Sequence, residues 1–181
     1  MLYRNIFRPL LFTADPEQCH RMLVKTLKFY GHIFPLRMFY RKCYHTCNPF
    51  HFQGLQFQNR VGLSAGFDKE AQVFDQLSDF GFAFIEIGTI TPSPQEGNPC
   101  PRIFRTSADQ SLISRTGFNN PGVEVVFKRV SRNRKHSYIL GVNINKDANS
   151  TGQQIVKDFE KVFVRLYEVV DYFTVNWGSI S

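Results

Sequence analysis

The sequence lacks any run of the roughly 20 consecutive apolar residues that a helix needs to cross a bilayer, so no spanning segment is expected. Its first apolar stretch, LYRNIFRPLLF, is too short and too interrupted for a secretory leader, and no small-residue cleavage pattern follows it. Cysteine is sparse. Cys19, Cys43, Cys47 and Cys100 show no framework spacing, which excludes a disulfide scaffold and fits a reducing compartment. Cys43 and Cys47 flank His45, but no second ligand couple follows, so no metal site is expected. Low-complexity tracts are missing too. Hydrophobic residues make up 43% and charged residues 20%, a globular balance that excludes long disorder.

What is present is a chain of 181 residues, enough for one domain plus an appendage but short of the roughly 250 residues of a complete eight-stranded α/β barrel. The formal net charge of +7 is unevenly spread. Residues 1–48 hold eight Lys/Arg (Arg4, Arg8, Arg21, Lys25, Lys28, Arg37, Arg41 and Lys42) against Asp15 and Glu17, a balance of +6. Interleaved with large apolar groups, this excess points to an anionic membrane surface. The other basic run, KRVSRNRKH, reads as a solvated helix end and loop, and no nucleic-acid partner is expected.

Residues 1–48 read as helical. Leu2, Ile6, Leu10 and Leu11 recur at helical spacing, with Pro9 expected to limit or kink the element. In ADPEQCHRMLVKTLKFYG, Asp15 is the N-cap, Pro16 the first helical residue, Glu17 the partner of the positive dipole end and Gly31 the stop. Its apolar face runs through Met22, Leu23, Leu27 and Tyr30, and a third helix is expected in PLRMFYRKCYH. The segment 1–48 is expected either to associate peripherally with the cytoplasmic face of a membrane, which the concentrated charge favours, or to pack as a helical cap on its own domain, and 49–181 to form a partial α/β barrel domain.

From Pro49 the pattern changes. FHFQGLQFQNR alternates as a hairpin does, with Gly54 near its turn. An apolar strand, a polar residue and a helix then recur. VGLSAG leads through FDK to EAQVFDQLSDFG, and FAFIEIG leads through Thr89 and a long excursion to VEVVFKRVSRN. YILGVNIN leads through KDANSTG to QQIVKDFEKVFVRLYEVV, and YFTVN leads to WGSIS. The rhythm predicts right-handed βαβ crossovers and about four parallel strands. The fold class is α/β: the first half of a (β/α)8 barrel, preceded by a small helical segment and a short hairpin.

In parallel α/β proteins the functional surface lies at the carboxyl ends of the strands. Those ends carry Lys69, Thr89, Asn143 and Asn176, with Ser179 just beyond. A cation, amides and a hydroxyl on one rim fit a planar, polar, anionic ligand. GLSAGFDK, GFAFIEIGTITPSPQEGNPCPRIFR, SRTGFNNPGVE, GVNINK and DYFTVNWGS resemble, in order and spacing, the quinone-dependent membrane class of dihydroorotate dehydrogenases. FRPLLFTADPEQCH resembles that class's helical extension, so the likeness runs from about Tyr3 onward.

The resemblance implies an FMN enzyme of pyrimidine biosynthesis on an α/β barrel, oxidising dihydroorotate to orotate and reoxidised by a membrane quinone. It implies that Ala65, Gly66, Lys69, Thr89, Asn143 and Asn176 hold the flavin. It also implies that Lys69, Ser114, Arg115, Thr116, Gly117, Phe118, Asn176 and Ser181 meet the substrate, with Ser179 as the catalytic serine. Ser114 stands where the family usually reads asparagine, and Thr116 where it reads methionine. GSIS replaces a Ser-Ser-Pro-Asn run, so Ser181 stands for a substrate-binding asparagine. The phosphate-binding part of the site belongs to the barrel's second half, so the chain reads as truncated and is expected to bind flavin weakly or not at all. Two further expectations accompany this one: a non-enzymatic peripheral membrane protein keeping only the basic helical head, and self-association through an exposed sheet edge.

Overall fold

The computed structural model describes residues 5, 7–106, 109, 111–133 and 138–178. Three helices come first. α1 (Arg8–Thr13) carries Pro9 in its first turn, where a missing N–H costs nothing. Asn5 and Phe7 before it are π-helical, so the helix changes type beside Pro9, where the sequence leads one to expect a limit or a kink. α2 (Pro16–Tyr30) starts where Asp15 accepts a hydrogen bond from the Gln18 amide at 2.9 Å, and α3 (Phe34–Tyr44) follows after a short turn. The apolar face expected for α2 is divided. Leu27 and Tyr30 are buried in the main core, whereas Met22 and Leu23 are exposed.

A hairpin of β1 (Phe50–Phe52) and β2 (Leu55–Phe57) comes next, with register partners Phe50 and Phe57 stacked at 4.9 Å. β3 (Gly62–Leu63) then leads to α4 (Phe74–Leu77), much shorter than the expected helix from Glu70. The cause lies in Asp68. Its carboxylate accepts from the amides of Gln72 and Val73, both at 2.8 Å, and diverts them from a helical ladder. A 3-10 turn (Ser78–Phe80) and β4 (Phe84–Ile90) follow.

The long excursion contains a second hairpin, β5 (Ile103–Thr106) with β6 (Ser111–Ser114), which the sequence pattern does not announce. α5 (Val123–Val130), β7 (Ile139–Ile144), α6 (Gln153–Leu166) and β8 (Tyr172–Val175) complete the described fold. The four strands β3-β4-β7-β8 are parallel neighbours in that order, as the repeated strand and helix rhythm predicts.

Strand alternation gives the sheet two different faces. On one, Ile85, Ile87, Leu140 and Val142 pack against Val123, Val126 and Val130 of α5 and Val162 and Leu166 of α6, all almost fully buried. Truncating one such leucine or isoleucine to alanine costs about 2–5 kcal/mol. The other face carries Glu86, Asn143, Tyr172 and Thr174, the polar interior from which the site is built.

Candidate functional site

The carboxyl ends of the parallel strands open into a cleft of about 1320 Å³. Ala65, Gly66 and Lys69 after β3, Thr89 in β4, Asn143 in β7 and Asn176 after β8 all line it. So do Ser114, Arg115, Thr116, Gly117 and Phe118 at and beyond the end of β6. Ser179 and Ser181 lie outside the described residues.

Glu86 organises the floor. Its carboxylate accepts from Thr174 Oγ1 at 2.8 Å, Tyr172 OH at 3.1 Å and Asn143 Nδ2 at 3.1 Å. The Asn143 Oδ1 in turn accepts from Thr89 Oγ1 at 2.7 Å, so the amide is fixed at both ends. Register explains how Tyr172 reaches Glu86. Gly141 sits between them in the cross-strand row, and a Cβ there would lie 2.1 Å from the Tyr172 ring. Burial and the Glu86 carboxylate raise the Tyr172 phenol, which stays protonated as a donor.

The loop after β3 is tied down by the Gly66 amide to the Gly88 carbonyl at 2.8 Å and the Gly88 amide to the Asp68 carbonyl at 3.2 Å. Lys69 leaves this loop to donate to Thr116 Oγ1 at 2.5 Å and Asn119 Oδ1 at 2.9 Å. Burial, and then the positive charge of Arg102, push the Lys69 ammonium down to about 8, with Glu17 opposing.

One wall of the cleft joins α2 to the excursion. Arg102 donates to Glu17 through Nε at 3.0 Å and Nη2 at 2.7 Å, holding that carboxyl below its usual range. Arg105 donates to the carbonyls of Leu11 at 3.1 Å and Ala14 at 2.7 Å. His20 lies edge-on to Phe67 at 5.0 Å and is lowered by burial. Asn145 and Asn176 support the exit of β8: the Asn145 amide donates to the Gly178 carbonyl at 3.4 Å, and the Gly178 amide to Asn176 Oδ1 at 3.1 Å.

Sequence reasoning missed Glu86, Arg102, Asn119 and His20, and gave Glu17 only a helix-dipole role. For Glu86 a signal existed, since a carboxylate inside the apolar run FAFIEIG demands partners. For Arg102 and His20 none did, because their partners lie far away in sequence.

The dihydroorotate dehydrogenase family profile matches residues 49–179. The chain is 39% identical over 175 residues to a dihydroorotate dehydrogenase (quinone) of Idiomarina loihiensis, covering 97% of this chain and 52% of that protein. It is 43% identical to the Xylella fastidiosa M12 protein of the same description, covering 97% and 49%. Among solved structures, ligand-free DHODH from Eimeria tenella superposes with a TM-score of 0.72 at 35% identity, over 90% of this chain and 45% of that one. The Eimeria tenella DHODH complex with ferulenol gives 0.67 at 32%, over 90% and 43%. The chain spans about half the length of the curated relatives it matches, and its sheet corresponds to part of their barrel.

Proposed function

Because the chain belongs to the dihydroorotate dehydrogenase family, we propose that its cleft is the substrate and flavin-ring side of a quinone-dependent enzyme that oxidises dihydroorotate to orotate. The observation that carries this reading is that Lys69, Thr89, Asn143 and Asn176, from four successive strand ends, line one cleft with the 114–118 block.

The residues present suit the ring portion of FMN. A Cβ built on Gly66 meets nothing within 4 Å, so the wall is open there, while its amide stays bonded to Gly88. Ala65, Gly66, Lys69, Thr89, Asn143 and Asn176 would hold the group, which when bound supplies the electron acceptor for the oxidation. The amide of Asn143 is preset by Thr89 and Glu86, so holding a polar ring edge needs no reorganisation.

Lys69 provides the charge that meets the substrate carboxylate, with Asn176 and residues 114–118 around the ring and Ser181 as a further contact. Ser179 takes the proton from the substrate carbon. A serine hydroxyl is a weak base, so this role needs bulk water excluded. The wall closed by Arg102 and Glu17 serves that need on one side.

The helices α1 to α3 form the membrane and quinone face in this reading. Phe12, Met22, Phe29, Phe34 and Phe39 are exposed beside the exposed Lys25, Lys28 and Lys42. Apolar side chains interleaved with lysines bind an anionic bilayer surface without spanning it. Among the described residues no helix is long and apolar enough to cross a membrane.

The test uses Trp177, the chain's single tryptophan, which directly follows Asn176. Orotate is expected to change its emission and Lys69→Met to abolish that response, while FMN is expected to quench it weakly at most, since the chain spans about half the length of its relatives. Emission unchanged at high orotate, with or without FMN, overturns the reading and favours a non-enzymatic protein.

A further inference from the structure

We propose that Thr116 is a positioning residue of this chain: with Asn119 it forms a neutral two-acceptor seat that holds the Lys69 ammonium at the cleft wall for a carboxylate ligand. The ligand half of this statement rests on the function proposed above; the seat itself rests on geometry alone.

Lys69 is a cation in the cleft wall whose described hydrogen-bond partners carry no charge. An ammonium has three N–H bonds. Thr116 Oγ1 and Asn119 Oδ1 take two of them, at 2.5 and 2.9 Å, which leaves one for a ligand. The nearby carboxylates are committed elsewhere. Glu17 receives Arg102, Asp68 receives the amides of Gln72 and Val73, and Glu70 receives Arg129 and Gln72. Of the neighbouring basic groups, His20 packs on Phe67, Arg102 adds positive charge against Lys69, and Arg115 lies over Phe104 with one N–H on the Pro101 carbonyl. The ammonium is therefore oriented but not neutralised, the arrangement that a buried anion site requires.

The seat is built by the backbone as well. The Thr116 carbonyl accepts from the Asn98 amide at 3.0 Å, and the Asn119 amide donates to the Gly117 carbonyl at 2.8 Å, so both acceptors sit on a pinned turn. Position 116 is where the resemblance leads one to expect methionine, whose thioether is a weak acceptor. Position 114 lacks the expected amide, and Ser114 is exposed. The polar arm missing at 114 is thus offset two residues later by a hydroxyl that acts through Lys69. A ligand held this way depends on its charge more than on its ring edges.

The experiment measures the rate at which an N-hydroxysuccinimide ester acylates Lys69 in the full chain against pH, by peptide mass spectrometry. The wild-type midpoint is expected near pH 8. Removing an acceptor disfavours the charged form, so Thr116→Val and Thr116→Met are expected to move the midpoint down and raise the rate several-fold at pH 7. Thr116→Ser keeps the hydroxyl and is expected to restore the wild-type profile. A wild-type midpoint in whichever of the Val and Met variants folds overturns the proposal, as does a shifted one in Thr116→Ser. Orotate is expected to protect wild-type Lys69 from acylation, and uracil, the same ring without a carboxylate, is not. A shifted Thr116 midpoint without orotate protection upholds the seat and overturns the ligand assignment.

Discussion

The guanidinium Nε of Arg37 lies 2.6 Å from the Asp79 carboxylate, whose side chain is fully shielded from solvent. Arg41 reaches the same carboxylate at 2.5 Å and Tyr30 donates to it at 3.0 Å, so α2 and α3 are fastened to the turn after α4 through one buried charge. Removing the Asp79 charge takes this acceptor from Tyr30 and Arg41 and leaves the largely buried Arg37 with Asp75 alone. Asp79→Asn is expected to cost about 3 kcal/mol or more in urea denaturation. With Leu27 and Tyr30 sharing the main core, the helices and the sheet are expected to unfold in a single step, coincident by circular dichroism and by Trp177 emission.

The row Glu86, Gly141, Tyr172 makes a second expectation. A methyl group on Gly141 would stand 2.1 Å from the Tyr172 ring, too close for any rotamer of that ring to absorb without displacing Tyr172 from Glu86. Gly141→Ala is expected to lower stability by about 1–3 kcal/mol, the usual cost of overpacking, and to weaken the orotate response of Trp177. In a Tyr172→Ala background the same substitution should cost much less, and a double-mutant cycle in thermal unfolding measures the difference. Additive effects would separate Gly141 from Tyr172.

Strand order and the polar rim were legible because they rest on local pattern. An apolar run followed by Lys69, Thr89, Asn143 or Asn176 carries its message within a few residues. What escaped was settled by contacts distant in sequence or by single side chains that override a pattern. Asp68 captures the two amides that would have extended α4 toward its N-terminus. The β5–β6 hairpin hides behind four prolines in TPSPQEGNPCP and shows only short alternation. Charge counting could not see ion pairs: Arg37 and Arg41 contribute to the basic excess of residues 1–48, and both bind the buried Asp79, Arg37 largely buried and Arg41 half-exposed.

Those ion pairs bear on which cations the proposed membrane face can use. Lys25, Lys28 and Lys42 remain exposed, while Arg37 is largely buried against Asp75 and Asp79. Each lysine near an anionic surface contributes about 1 kcal/mol. Replacing all three with glutamine is therefore expected to weaken binding to phosphatidylserine vesicles by about a hundredfold, measured by co-sedimentation at low salt. Arg37→Gln should instead lower stability and leave vesicle binding of the folded fraction nearly intact. Equal losses of vesicle binding from the two changes would return Arg37 to the membrane face.

Lys69 supplies the last expectation, because its titration affects both folding and ligand binding. Burial lowers it from an ordinary 10.5 to about 8. Between those values the unfolded chain holds a proton that the folded chain has released, so unfolding takes up a proton and stability rises with pH across this window. Below about pH 8 both states are protonated and the desolvated ammonium costs the fold a constant amount. Other lysines and tyrosines titrate in the same range, so the quantity to measure is the difference between wild type and Lys69→Met in urea denaturation from pH 7 to pH 10.5. The wild type is expected to gain on the variant through that interval. Orotate affinity should run the opposite way, falling as pH rises through about 8, because the carboxylate needs the charged ammonium. A flat stability difference would mean that Lys69 is well solvated. Orotate affinity independent of pH would mean that its carboxylate is held elsewhere.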